Sequence, residues 1–176
     1  MPNMIGTKST VGIEYDISDS KLFMGYARLW FEGNSLGALS ELIYLDGYLV
    51  GGLMDIMKKE RLQPIFWGES QEETFCKLNE ALCISDDDFY DDEKNDLSEL
   101  ARSYSVNFGT LLDDFTVFSF KGEAGEGNIL WEISSPVDNL AHAELKNYPR
   151  RIFSSKFSYD DIELLINKIE SLKVGA

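Results

Sequence analysis

The chain has 176 residues, which predicts one domain, residues 1–176, with a core large enough to need no disulfide or metal staple. Hydrophobic residues are 44% and aromatics 12%, so folding is expected even though 31 acidic against 16 basic residues give a net charge of −15. That balance argues against nucleic-acid binding, which needs a basic footprint, and against docking on anionic lipid. It fits solubility, or a basic partner met by electrostatic steering.

Composition narrows the chemistry further. The opening Met1-Pro2-Asn3-Met4-Ile5-Gly6 lacks a basic region followed by an apolar run, so no secretory leader is expected. No run of about 18 apolar residues predicts a membrane span. Cys76 and Cys83 fall on one face of a predicted helix. Two helix turns hold their Cα atoms about 10 Å apart, too far for a disulfide. They read as reduced, largely buried thiols, which suits the cytoplasm. His142 is the only histidine, so a His-based metal cage is excluded. It reads as an ordinary surface or half-buried residue. No G-x-S-x-G elbow occurs, and the expectation is no enzymatic activity, no cofactor and no metal.

In chain order, Val11–Ile17 alternates Val11, Ile13, Tyr15 and Ile17 with Gly12, Glu14 and Asp16, the period of a strand with one wet face. Asp19-Ser20 is a turn, and Leu22–Phe31 is a second strand, apolar on both faces and therefore central. After the turn Gly33-Asn34-Ser35, Leu36–Leu45 reads as a third strand or an extended lead into a helix. Asp46 is placed to cap that helix, which runs to about Lys59, although Gly51 and Gly52 weaken it or move its start later.

Ser70-Gln71-Glu72-Glu73 is a capping box opening a helix over Gln71–Cys83, with Phe75, Cys76, Leu78, Leu82 and Cys83 inward. A short helix at about Glu93–Tyr104 carries Leu97, Leu100 and Ala101 on one face. Phe115–Phe120 alternates and pairs with Ile129–Ser134 as a hairpin through Lys121–Asn128. Arg150–Phe157 is a last strand. Ser158, with Asp161 at the reciprocal position of a box, caps a helix from Tyr159 to about Leu172 with Ile162, Leu165, Ile166 and Ile169 inward. Strands, helices, strands and a helix in that order predict an α+β fold, a largely antiparallel sheet with helices packed against it.

The most conspicuous segment is Asp86-Asp87-Asp88-Phe89-Tyr90-Asp91-Asp92-Glu93, with six carboxylates in eight residues. As a calcium loop it fails on spacing, because Tyr90 and Asp91 stand where an oxygen ligand and a glycine are required. Two readings remain. One is a partner-binding patch in which Phe89 and Tyr90 anchor a basic protein inside a negative field. The other is a solvated inter-helix loop whose aromatics fold into the core. Gly122, Gly125 and Gly127 do not match a phosphate loop and join two strands, so they read as a hairpin loop. Trp30, Trp67 and Trp131 read as core residues, with Trp67 partly exposed. Arg150 and Arg151 read as a strand-edge pair countering the acidic surface.

The N-terminal third carries a resemblance. Val11-Gly12-Ile13-Glu14-Tyr15-Asp16-Ile17, then Gly25-Tyr26-Ala27-Arg28-Leu29-Trp30-Phe31-Glu32-Gly33, Leu36-Gly37 and an apolar helix resemble immunity proteins of bacterial polymorphic-toxin systems, including contact-dependent growth inhibition. The match covers about the first 60 residues. It implies a cytoplasmic protein that binds and neutralises the C-terminal toxin domain of a cognate effector, often a basic nuclease, by covering the active site or an adjacent exosite. No catalytic residue transfers, because the family has none. The alternative is an acidic adaptor, chaperone or nucleic-acid mimic that binds another basic protein.

Overall fold

The computed structural model describes residues 1–83 and 92–174. The fold is α+β with two antiparallel sheets. The first sheet contains β1 (Asn3–Gly6), β2 (Val11–Asp19), β3 (Met24–Phe31), β4 (Asn34–Leu36) and β5 (Leu42–Tyr44). Central β3 pairs with β2 along one edge, and β4 and β5 share its other edge. A π-helical turn, Leu45–Val50, leads into α1 (Gly51–Lys58). Next come α2 (Gln71–Leu82), α3 (Asp92–Tyr104), the second sheet of β6 (Phe115–Lys121), β7 (Gly127–Ile133) and β8 (Phe153–Phe157), and α4 (Tyr159–Val174).

The alternation of β6 explains the layering. Phe115, Val117 and Ser119 point to one side and Phe118 and Phe120 to the other, and all five are buried. On the first side a core forms between the two sheets, α1 and α4, built on Ile13, Leu29, Phe31, Leu53, Trp131 and Leu165. On the second side α2 and α3 cover the sheet through Phe75, Leu78 and Ala101 against Phe118, Phe120 and Leu130. Both faces of the second sheet are therefore buried in apolar contacts, as its lack of a polar face requires. The first sheet is different, because only one of its faces is packed.

The capping box is present: Ser70 Oγ accepts from the Glu73 N–H at 3.1 Å, and the Glu73 carboxylate accepts from the Ser70 N–H at 2.7 Å. Ser158 caps α4 through the Asp160 N–H at 3.2 Å, so the cap forms one residue earlier than a box to Asp161. Other expectations are corrected. Tyr44, not Asp46, precedes the helical turn, and Asp46 pairs instead with Lys173 of α4. Leu36–Leu45 splits into β4 and β5, and β1 adds a strand before Val11. Cys76 and Cys83 are free and exposed, because α2 turns Thr74, Phe75, Leu78 and Ala81 inward. Trp131 is fully buried, whereas Trp30 stands half-buried on the outer face of the first sheet and Trp67 is 51% exposed.

Glu32 and Gly33 close the β3–β4 hairpin with φ of +46° and +85°, the two-residue turn that matches strand twist. The left-handed conformation at Glu32 is uncommon for a side chain with a Cβ. The Glu32 carboxylate accepts from the Lys156 N–H on β8 at 3.3 Å, which blunts a strand edge.

Candidate interaction surface on the first sheet

The pleat of β2 and β3 sets which side chains leave the core. Gly25, Ala27, Leu29 and Phe31 point inward, so Met24, Tyr26, Arg28 and Trp30 point outward. The register places Asp16 opposite Tyr26 and Tyr26 opposite Leu42. It places Glu14 opposite Arg28, and Met24 opposite Tyr44. The outer face thus has a polar half and an apolar half.

In the polar half, Glu14 collects three donors. Its Oε2 accepts from Arg28 Nη2 at 2.8 Å, Arg28 Nε at 3.2 Å and Trp30 Nε1 at 3.0 Å, and Lys8 Nζ lies 3.3 Å away. Lys8 also sits 4.3 Å over the Trp30 ring. Partial burial opposes the Glu14 charge, but hydrogen bonds from Arg28 and Trp30 and the Arg28 charge outweigh it, so the carboxyl titrates below its ordinary range. Beyond Arg28 lie Glu144, Ser40, His142 and Glu41, each in polar contact with the next. His142 is half-buried, as expected, but it is fixed at both ring nitrogens rather than idle. The separation of 102 residues from Ser40 to His142 leaves no local pattern to find it by.

The apolar half is Met24, Tyr26, Leu42 and Tyr44. Leu42 and Tyr44 are 45% and 44% exposed, and Met24 and Tyr26 are half-buried. Two exposed carboxylates, Asp16 and Asp19, and the half-buried Glu41 lie on the same strands and their flanks. A row of aromatic and apolar side chains beside carboxylates has the anatomy of a protein interface, an apolar centre with a charged rim. Isolated exposed apolar residues are ordinary on a surface, but four on facing positions of one sheet face form a patch.

Of the predicted partner-binding residues, Asp86, Asp87, Asp88, Phe89, Tyr90 and Asp91 lie outside the described residues. Asp92 and Glu93 open α3, with Glu93 exposed. Arg150 donates to the Ser135 carbonyl at 2.7 Å, and the Arg151 guanidinium lies 4.4 Å over the Phe153 ring. Among the described residues, no group of three or more His, Cys, Asp or Glu side chains is arranged to hold a metal ion. In the same residues, no helix is long and apolar enough to cross a membrane. No protein-family model matches the chain, and no curated protein or solved structure is significantly similar to it.

Proposed function

We propose that this chain is a cytoplasmic immunity protein that works by binding, not by catalysis. Its partner is the basic toxin domain of a cognate effector, and the outer face of the first sheet is the docking surface. One observation carries the choice of surface: Met24, Tyr26, Leu42 and Tyr44 form an open apolar patch, with the exposed Asp16 and Asp19 beside it, on a sheet whose other face is packed against the core. An apolar centre supplies affinity once water is excluded, and carboxylates at the rim select a partner with basic groups around its own apolar patch.

The net charge of −15 supports a basic partner, because it steers the encounter over distances that the patch alone does not reach. Six of the 31 acidic residues behind that field lie in the segment Asp86–Glu93. The resemblance of the first 60 residues to toxin-neutralising immunity proteins supports the biological role. A nuclease partner fits the charge best, since a cleft built for phosphate is basic and an acidic cover excludes nucleic acid from it. Co-expression with the product of the neighbouring gene tests the proposal. Growth should be rescued and the two chains should co-purify; a toxic neighbour that is neither bound nor neutralised would remove its basis.

A further inference from the structure

In the segment 137–144, between β7 and β8, His142 and Glu144 reach Ser40, Glu41 and Arg28 at the end of the first sheet through a chain of polar side chains, and Leu140 packs against the core. His142 Nε2 is 2.6 Å from Glu41 Oε2, and its Nδ1 is 3.0 Å from Ser40 Oγ. Ser40 donates its hydroxyl to Glu144 Oε1 at 2.6 Å and its backbone N–H to the same oxygen at 2.8 Å. Glu144 Oε2 accepts from Arg28 at 3.5 Å, and Arg28 is held in turn by Glu14. The charged groups around the imidazole are therefore Glu41 ahead of β5, Glu144 on its own segment, and Arg28 of β3 with its partner Glu14.

A serine beside a histidine beside a glutamate has the parts of a hydrolase triad, but the proton arithmetic runs the other way. The Ser40 hydroxyl has one hydrogen, and the Glu144 carboxylate, which has none, takes it. Nδ1 must then donate to Ser40, while Nε2 donates to Glu41. Only the imidazolium donates from both nitrogens. The Ser40 N–H is committed to Glu144 as well, so it is not free to stabilise an oxyanion. The array is built to hold a segment in place, not to activate a nucleophile.

We infer that residues 137–144 are a pH-dependent strap, closed by the Ser40–His142–Glu41–Glu144 chain while both ring nitrogens of His142 carry protons and loosened when one proton leaves. Loss of that proton leaves Ser40 one hydrogen to divide between Nδ1 and Glu144, and one link of the chain fails. The closed strap is thus favoured at low pH, where both ring nitrogens keep their protons, and weakened as pH rises and one proton leaves. Beside the strap lies a cleft of about 390 Å³ lined by Arg28, Trp30, Asn34, Asn147 and Arg151, with Glu144 on its wall. Loosening the Glu144 end widens access to it. Leu145 is buried and Tyr148 donates its hydroxyl to the Ser35 carbonyl, so the following residues stay anchored and the motion is confined to the strap.

The strap behaves this way in the free chain, whatever the sheet face binds, so the test needs no partner and its failure leaves the docking proposal standing. The single histidine makes the ring signals unambiguous. Exchange of the Ser40 amide and the amides of residues 137–144 is followed by NMR at pH 5.5 and 8, corrected for intrinsic rates. Protection should fall roughly threefold or more at the higher pH. In His142→Phe it should be low at both values, with the folded spectrum of the two sheets unchanged. Glu41→Gln should show a smaller pH effect than the unmodified chain. Equal protection of the unmodified chain at both pH values overturns the inference, and so does a pH-dependent loss that survives in His142→Phe.

Discussion

Glu14 and Arg28 face each other across the β2–β3 register, and the guanidinium closes on one carboxylate oxygen through Nη2 at 2.8 Å and Nε at 3.2 Å. Both side chains are mostly shielded from solvent, with 13% and 22% exposed, so this pair is worth more than an ordinary surface ion pair. Removing the charge with Glu14→Gln leaves Arg28, Lys8 and Trp30 with a weaker acceptor. The expected cost is about 1–2 kcal/mol at pH 7. The Glu14 carboxyl titrates below the ordinary 4.5. Its contribution is therefore complete above about pH 4.5 and is lost as pH falls through the lower folded-state value. Urea unfolding at pH 7 and pH 3.5 checks this: the gap between the two proteins should narrow at the lower pH.

Trp131 is the largest of the fully buried side chains and joins the two sheets. It stacks on Phe153 at 5.1 Å between ring centroids, lies 6.0 Å from Phe31 and donates Nε1 to the Tyr148 hydroxyl at 2.9 Å. Trp131→Ala should destabilise by about 3–5 kcal/mol through lost burial and the cavity left behind. Trp131→Phe should cost less, while still leaving the Tyr148 hydroxyl without its donor. Burial pushes that phenol up to about 12, so it stays protonated and able to hold Ser35 across the neutral range. Chemical denaturation of both variants gives the ranking.

Ser70 is a local test of the sequence-to-structure link. Ser70→Ala removes the acceptor for the Glu73 N–H and should cost about 1 kcal/mol. Ser70→Gly should cost less, only a few tenths, because glycine still suits the extended backbone at that position. Thermal unfolding of the two variants decides between a capping effect and a change in packing.

The carboxylates of Asp86–Glu93 are assigned to steering. Replacing Asp86, Asp87, Asp88, Asp91 and Asp92 by Asn and Glu93 by Gln should slow association with the basic partner and flatten its salt dependence, with the dissociation rate little changed. Association rates measured from low to physiological salt would show this. An unchanged rate at low salt would place the steering field elsewhere on the surface.

Some of this molecule was legible in its residues. The Ser70 box, the alternation of Phe115–Phe120, the hairpin into Ile129 and the stripe on α4 each arise from spacings within one element, and each forms as those spacings require. The misses have physical causes. Leu22–Phe31 is apolar at nearly every position, so periodicity identifies a central strand but not which face is covered, and Trp30, expected in the core, lies half-buried on the outer face. Helix α2 has too few apolar residues to fix its rotation from the sequence, so spacing does not distinguish Cys76 and Cys83 from inward positions, and both are exposed. Strand β1 has four residues with Ile5 alone buried, too short a pattern to register. The apolar patch is assembled by the register of β3 with β5, which the pattern within either strand does not show, and the His142 chain by contacts more than 100 positions apart.

The central claim is that the open face of the first sheet binds and neutralises a basic toxin domain. Its most direct test is the affinity of the toxin domain expected from the neighbouring gene for this chain and for the double variant Leu42→Asp, Tyr44→Asp. Both positions are exposed, so the fold should be spared, as a matched thermal-unfolding profile would show. The account predicts a tight complex with the unmodified chain and at least a roughly thirtyfold weaker one with the double variant, the loss expected when two interface residues worth more than about 1 kcal/mol each are replaced by charges. Equal affinity for the two proteins, or no complex with either, would contradict it.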